Sequence, residues 1–269
     1  MTTTPTAEFA VIGGSGFYEL LADAERVTVD TPYGAPSDAI TLGPAGGRRV
    51  AFLPRHGRGH AVPPHRINYR ANLWALRSLG VRRILAPCAV GSLRPELGPG
   101  SVVVPDQLVD RTSGRAQTFY EQGAVHVSFA DPYCAHGRRA VLAAAAATGT
   151  EATDGGTMVV VQGPRFSTRA ESQWYAAAGW SLVNMTGHPE AVLARELALC
   201  YTAVALVTDL DAGVDARRSV SQEEVFTVFA QNTERLRGLV LEALGRLPEE
   251  RSCACPGSLT GMTLPFPLP

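Results

Sequence analysis

The sequence predicts a single α/β domain. Apolar runs rich in β-branched residues, such as residues 102–104, 158–161 and 203–207, alternate with longer segments whose apolar residues recur at helical spacing. Such alternation is typical of a sheet buried between helices. The chain has 269 residues, of which 45% are hydrophobic, enough for one large core. A formal charge of −1 gives no electrostatic attraction to nucleic acid or to an anionic membrane.

The first predicted strand, residues 8–12, ends in the turn Gly13-Gly14-Ser15-Gly16, and a short helix is predicted at residues 18–21. A glycine turn after a strand exposes backbone N–H groups, and Ser15 adds a hydroxyl, so that the turn can hold a phosphate. A tight turn without a ligand is the alternative. The glycine spacing fits neither the dinucleotide fingerprint nor a Walker loop.

A second strand, residues 50–53, leads into a loop that contains Arg55, His56, Arg58 and His60. Arginine and histidine among glycines form a concentrated set of donors for an anion, and the arginine fork can grip phosphate oxygens. A solvated basic loop is the alternative. The histidine spacing fits no structural zinc pattern, so no metal is expected here.

In the middle of the chain, a helix is predicted at residues 67–79, and strands follow near residues 84–88 and 101–104. Residues 110–131 form a long, weakly periodic loop, which in a compact domain usually carries function or an interface. His126 in this loop is read as a core or interface histidine rather than a ligand. The alanine-rich residues 138–148 predict a further helix.

A strand at residues 158–162 precedes a capping box of Thr168 and Glu171, which places Phe166 at the crossing from strand to helix. A helix from Pro189 to residue 197 and a last helix from Ser221 to about residue 244 are also predicted. Between them, the strand at residues 203–211 brings Asp209 and Asp211 to one side. Paired carboxylates there suit a planar base with adjacent ring N–H and amino donors, whereas a cap or loop role for Asp209 is the alternative.

The cysteines and the two ends of the chain complete the pattern. Five cysteines form no disulfide framework in a chain of this size, and buried packing is expected for Cys88, Cys134 and Cys200. A domain is assigned to residues 1–250 and a proline-rich tail to residues 251–269. The first six residues lack a targeting pattern and no run reaches membrane-spanning length, so a cytoplasmic protein is expected.

Seven blocks, in order and spacing, resemble the trimeric purine nucleoside phosphorylase and methylthioadenosine phosphorylase family, and are closer to its methylthioadenosine branch. The blocks are Gly13-Gly14-Ser15-Gly16, Arg55-His56-Gly57-Arg58, Gly91-Ser92-Leu93, Gln107 with Asp110-Arg111-Thr112, Gly163-Pro164-Arg165-Phe166-Ser167, Asn184-Met185-Thr186 with Pro189-Glu190, and Thr208-Asp209 with Asp211. The resemblance implies a three-layer α/β/α fold around a mixed, twisted sheet. It also implies a homotrimer, or a hexamer made of two trimers, which cleaves purine nucleosides with inorganic phosphate as co-substrate and needs no cofactor or metal.

The resemblance also implies residue roles. Asp209, Asp211 and His56 would be catalytic, with Asp209 hydrogen-bonding or protonating the purine at N7. Phosphate would be held by Ser15, Arg55, His56, Ala89 and Thr186. The base would contact Phe166, Ser167, Asn184, Asp209 and Asp211. The ribose and its 5′ substituent would contact Met185, Gln222 and, from a neighbouring subunit, His126.

Two positions predict the choice of base. The 6-oxopurine branch of the family has glutamate and asparagine at the positions of Ser167 and Asp209. Since a carboxylate repels a 6-carbonyl group and accepts from a 6-amino group, the sequence predicts a 6-aminopurine nucleoside, either methylthioadenosine or adenosine. A 6-oxopurine phosphorylase and a nucleoside-binding protein without turnover are the alternatives. A nucleoside hydrolase would need a calcium-binding aspartate cluster near the amino terminus, which the sequence lacks.

Three features depart from the pattern of the methylthioadenosine branch. Cys88 replaces a phosphate-contacting threonine, Gly187 and His188 follow Thr186, and polar Gln222 replaces a valine of the 5′ pocket. The tail also contains a Cys-x-Cys pair at residues 253 and 255, which resembles a pair in some archaeal members that can form a strained disulfide. Two unpaired, exposed thiols are the alternative.

Overall fold

The computed structural model describes residues 6–21, 24–215 and 219–269. The sequence predicts no targeting signal in residues 1–6, and of these only Thr6 lies within the described residues. Within them, no helix is both long and apolar enough to cross a membrane.

A mixed sheet forms the middle of the molecule, in the order β2-β3-β4-β1-β5-β10-β9-β7, and β11, β6 and β8 extend it from the other edge of β5. In chain order the strands are β1 (Phe9–Gly13), β2 (Glu25–Val27), β3 (Ile40–Ala45), β4 (Arg48–Pro54), β5 (Arg83–Ser92), β6 (Val102–Val104), β7 (Gln107–Arg111), β8 (Ala152–Asp154), β9 (Thr157–Val161), β10 (Leu182–Asn184) and β11 (Cys200–Leu210). The helices are α1 (Tyr69–Ser78), α2 (Ala135–Ala147), α3 (Arg169–Ala177), α4 (Gly187–Glu196) and α5 (Gln222–Arg246).

The sheet separates two apolar cores. Alternate residues of β1 point to opposite faces, so that Ala10 and Ile12 join one core and Phe9 and Val11 join the other. Helices α1 and α4 cover the first face with leucines, and α2 and α5 cover the second with alanine, leucine, valine and phenylalanine side chains. The three-layer α/β/α arrangement that the resemblance implies is confirmed.

The sheet branches at β5, and this branch positions the site. One edge of β5 pairs with β1 only as far as Leu85 and with β10 only from Gly91 onward. The other edge pairs with β11 along the whole strand. Residues 86–90 of β5 therefore pair with no strand of the described chain on one edge. A cleft opens there at the carboxyl ends of β1 and β10, where ligands usually bind in open α/β sheets.

Helix starts are confirmed where capping residues mark them. Thr168 and Glu171 form a reciprocal capping box at α3, and the Ser221 side chain accepts from the backbone N–H of Glu224 at the start of α5. The helix predicted at residues 18–21 is wrong, because that segment is an extended loop. Four residues cannot sustain a helix on their own, and the loop is held instead by burial of Phe17 and Leu20 against α5.

Strands β2, β3, β7 and β8 were not predicted. All residues of β7 are exposed or half-buried, and β2 and β8 are three residues long with exposed positions. Strand β3 is mostly buried, but Gly43 and Pro44 interrupt its apolar pattern. The long loop predicted from residue 110 therefore begins inside a strand, β7, and continues without regular structure to residue 134.

Candidate active site

A cleft of about 300 Å³ occupies the branch of the sheet. Every residue that the sequence assigns to phosphate, base or ribose lines this cleft, with the exception of His126. His126 is an exposed residue that borders a different cavity together with Gln107 and Arg138, so it is not a core histidine. Its contribution to a neighbouring subunit's site stays a prediction.

The glycine loop after β1 packs directly on its neighbours at one end of the cleft. A Cβ atom on Gly14 would lie 2.8 Å from the Pro87 carbonyl oxygen and 2.9 Å from Nη1 of Arg55. Only glycine fits between these two groups without a shift of one of them. The close approach brings the loop backbone and Ser15 to the unpaired edge of β5, where Cys88 and Ala89 also line the cleft.

Arg55 is buried and already bound to a carboxylate. Its Nε and Nη2 atoms donate to the two carboxylate oxygens of Glu190, each at 2.7 Å, while Nη2 and Nη1 donate to the carbonyl oxygens of Ile12 and Pro87. The fork that the sequence assigns to phosphate therefore grips Glu190. The second N–H of Nη1 makes no hydrogen bond to the described residues.

His56 is neutral. Its Nδ1 lies 2.9 Å from the carbonyl oxygen of Val62, its ring stacks on that of His60 at 4.2 Å, and burial, His60 and Arg55 together lower its pKa to about 3. Because a carbonyl oxygen only accepts, Nδ1 carries the hydrogen and Nε2 has a free lone pair. His56 thus offers an acceptor where the sequence predicts a donor.

The turn between β10 and α4 is held by Asn184. Its Oδ1 accepts from the backbone N–H groups of Thr186 and Gly187 at 2.8 and 2.7 Å, and its Nδ2 donates to the carbonyl oxygen of Ala89 at 3.1 Å. These bonds fix Thr186 opposite the open edge of β5. Cys88 beside them is a neutral thiol, because burial raises its pKa to about 12.

A β-bulge in β11 aims Asp209 into the cleft. The pairing with β5 shifts register between Val207 and Asp209, and the hydroxyl of the intervening Thr208 donates to the carboxylate of Asp209 at 2.8 Å. Asp209 is 5% exposed. Burial raises its pKa to about 7; the hydrogen bond from Thr208 opposes this shift, and the charge of Asp211 adds to it. A carboxyl group with this pKa can give up a proton near neutral pH.

Asp211 lies on the same side as Asp209, as the sequence predicts: a Cβ on Gly91 would lie 2.9 Å from Oδ1 of Asp209 and 3.5 Å from Cβ of Asp211. Oδ2 of Asp211 and the hydroxyl oxygens of Ser167 and Ser172 are buried without a hydrogen-bond partner among the described residues. Burial raises the pKa of Asp211. Asp211 and Ser167 line the cleft, so their buried, unpaired polar atoms are free to bind a ligand.

Side chains from the first turns of α5 close the far end of the cleft. Gln222, Val225 and Phe226 line it, and the Phe226 ring meets His60 edge to face at 5.5 Å. The sequence predicts Gln222 at this site but not Phe226, which lies fifteen residues beyond Asp211 and joins the site only through the packing of α5. Phe166 and Met185 also line the cleft.

Comparisons with known proteins agree with this geometry. Residues 8–245 match the model of the Phosphorylase superfamily. The chain is 61% identical to the S-methyl-5′-thioadenosine phosphorylase of Mycolicibacterium smegmatis over 96% of this chain and 98% of that protein. It is 60% identical to the purine nucleoside phosphorylase of Streptomyces coelicolor over the full length of both.

Solved structures agree as well. The fold is similar to a methylthioadenosine phosphorylase from an antarctic soil metagenomic library, with a TM-score of 0.88, 40% identity and coverage of 95% and 91% of the two chains. It is also similar to the methylthioadenosine phosphorylase of Schistosoma mansoni in complex with adenine, with a TM-score of 0.85, 38% identity and coverage of 89% and 91%.

Proposed function

The chain belongs to the Phosphorylase superfamily, and we propose that it is a pentosyltransferase that cleaves a 6-aminopurine nucleoside with inorganic phosphate. The products are adenine and a ribose 1-phosphate, and the proposed substrate is 5′-methylthioadenosine. The observation that carries this proposal is the buried Asp209 with a pKa of about 7, beside Asp211 and Ser167 in the cleft. Relatives named for methylthioadenosine phosphorolysis support it.

Phosphate is the nucleophile. The Gly14 and Ser15 loop, the unpaired edge of β5 at Ala89, and Thr186 surround one end of the cleft and offer backbone N–H and hydroxyl donors. Because Glu190 neutralises Arg55, this end attracts phosphate through hydrogen bonds more than through net charge. The remaining Nη1 hydrogen of Arg55 adds one donor.

His56 selects the protonation state of phosphate. The lone pair on Nε2 accepts from the single hydroxyl of hydrogen phosphate, whose other oxygens face the N–H and hydroxyl donors. Held in this way, a phosphate oxygen attacks C1′ of the ribose from the face opposite the base, and the electron pair of the breaking C1′–N9 bond moves into the purine. Positioning of the two reactants accounts for a large part of the rate.

Asp209 stabilises the departing base. Negative charge grows on the purine as the glycosidic bond breaks, and a protonated Asp209 delivers its proton to N7. Since its pKa lies near 7, the protonated form is well populated at neutral pH, and the carboxylate that the transfer leaves takes up a proton from solvent after base release. Phe166 packs on a face of the base, and Asp211 accepts from the 6-amino group.

Substrate choice rests on two parts of the cleft. The acceptor oxygens of Asp209 and Asp211 favour a 6-amino over a 6-oxo group, because a carboxylate opposite a carbonyl leaves both acceptors unpaired. The 5′ substituent lies towards Gln222 and Met185, and in the proposed trimer also towards His126 of a neighbouring subunit. The polar Gln222 allows adenosine as a second substrate. The proposed enzyme works without a cofactor, in the cytoplasm, as part of purine salvage.

The proposal is tested by incubating the protein with methylthioadenosine, with and without phosphate, and identifying both products. We expect adenine and methylthioribose 1-phosphate in equal amounts and only with phosphate present. Asp209→Asn should slow release by about 10² to 10⁴ fold, as loss of a general acid does. Release of free methylthioribose without phosphate would indicate a hydrolase, and nucleoside binding without any release would indicate a binding protein.

A further inference from the structure

Cysteines from three distant segments of the chain meet at the amino-terminal end of β11. Cys134 is the N-cap residue of α2, Cys200 is the first residue of β11, and Cys253 and Cys255 belong to the tail. Their four sulfur atoms all lie within 4.8 Å of one another, and those of Cys200 and Cys253 are 3.4 Å apart. The buried packing expected for Cys88, Cys134 and Cys200 is confirmed, whereas the expectation of two exposed tail thiols is wrong, because Cys255 is buried and Cys253 is half-buried.

We propose that Cys134, Cys200, Cys253 and Cys255 bind one Zn²⁺ ion through their sulfur atoms. In a tetrahedral site with Zn–S bonds of about 2.3 Å, the sulfur atoms are about 3.8 Å apart, which agrees with the cluster. Four sulfur ligands in this arrangement select zinc or an iron–sulfur centre over magnesium or calcium. All four positions are taken by the protein, so the site is structural rather than catalytic.

The packing of α2 on β11 creates the cluster. A Cβ atom on Gly137, in the first turn of α2, would lie 1.9 Å from Oγ1 of Thr202. The glycine therefore lets the helix start approach the strand closely, and this approach brings Cys134 to Cys200. A larger residue at position 137 would push the two cysteines apart.

The surroundings favour negatively charged sulfur. Cys134 stands at the amino end of the 13-residue α2, where the helix dipole and the backbone N–H of Gly137 stabilise a thiolate. Arg251 places a guanidinium beside Cys200, and its buried Nε has no hydrogen-bond partner among the described residues. Four thiolates and one Zn²⁺ carry a net charge of −2, which these groups offset.

Zinc binds cysteine as the thiolate, so binding releases the thiol protons of the four cysteines to solvent.

The ion would fasten the tail to the body of the protein. Cys255 begins a 3₁₀ turn, and farther along the tail Phe266 stacks on Tyr120 at 5.4 Å, in the long loop that also carries His126. A cavity of about 680 Å³ lined by Cys134, Cys253 and Cys255 gives the ion a path of entry. The site shares no residue with the active-site cleft and is independent of the proposed function.

The test measures metal in protein purified without chelators or a histidine tag, by elemental analysis. We expect about one zinc per chain in the wild type and less than about a tenth of that in Cys253→Ser/Cys255→Ser, because two of four ligands are lost. Cys88→Ser is the matched control, since Cys88 is the one cysteine outside the cluster, and its zinc content should equal that of the wild type. Cobalt-substituted wild type should show the intense visible bands of tetrahedral cobalt thiolate.

Thiol counting separates the alternatives even if the double variant fails to fold. Denatured with chelator but without reductant, the zinc form yields five reactive thiols per chain. If the protein holds no metal and yields only three thiols, or only one, it contains one or two disulfides. This result overturns the proposal. The proposal is also overturned if the protein yields five thiols but binds no zinc, even after expression with added zinc and reconstitution. One equivalent of iron in place of zinc refutes the choice of metal.

Discussion

Replacing Asp209 with asparagine should make the protein less active and, above neutral pH, more stable. Burial raises the pKa of Asp209 from 3.8 to about 7. In the unfolded chain the carboxyl group ionises above about pH 4, whereas the folded protein retains the proton up to about pH 7. The folded state of the wild type therefore loses stability as the pH rises through this window.

The size of the effect follows from the two pKa values. A difference of about three pH units, at about 1.4 kcal/mol each, gives at most about 4 kcal/mol. The side chain is 5% exposed, so solvent screening reduces this figure little. Asparagine keeps the shape and does not ionise, and it also removes the repulsion between Asp209 and Asp211.

Urea unfolding at fixed protein concentration, from about pH 4 to about pH 8, measures the difference in unfolding free energy between Asp209→Asn and the wild type. We expect this difference to grow by about 2 to 4 kcal/mol in favour of the variant and to level off above about pH 7. Asp30→Asn, which removes an exposed carboxyl group, is the control for a change of surface charge. A difference that is the same at every pH would refute the assignment of a buried, protonated Asp209.

Other predictions test the remaining parts of the site. Glu190→Gln leaves Arg55 buried without its carboxylate, so urea unfolding should show a loss of about 3 kcal/mol and KM for phosphate should change; an unaltered unfolding curve would contradict the role given to this pair. Gln222→Val should raise the ratio of kcat/KM for methylthioadenosine to that for adenosine by about tenfold, because an apolar pocket disfavours a hydroxyl. The kcat/KM of the wild type should fall as the pH rises through about 7, while that of Asp209→Asn should not. A fall in both proteins would show that the ionisation of phosphate, and not that of Asp209, causes it. Ser167→Glu combined with Asp209→Asn should shift base preference towards inosine, measured as the ratio of the two kcat/KM values.

The sequence predicts those parts of the site that depend on local order. Asp209 and Asp211 follow a buried strand two residues apart, and Thr168 and Ser221 mark helix starts by short-range hydrogen bonds, so each could be placed without knowledge of the fold. The catalytic and binding roles of these residues follow from the resemblance to the family.

Features that depend on distant contacts could not be predicted. Arg55 and Glu190 are 135 positions apart, and their pairing changes Arg55 from a phosphate clamp into a buried partner of a carboxylate. The bulge at Thr208 arises from pairing with β5, and the meeting of Cys134, Cys200 and the tail cysteines depends on the close contact of α2 with β11. No spacing in the sequence indicates any of these.

The central claim is that two buried carboxyl groups choose a 6-aminopurine nucleoside for phosphorolysis. Its most direct test is the kcat/KM for phosphate-dependent base release from methylthioadenosine and from inosine, measured in parallel with the same wild-type protein. We expect methylthioadenosine to be preferred by about a hundredfold or more, since inosine leaves buried acceptors unpaired. Equal rates, or a preference for inosine, would contradict the account of Asp209, Asp211 and Ser167 given above.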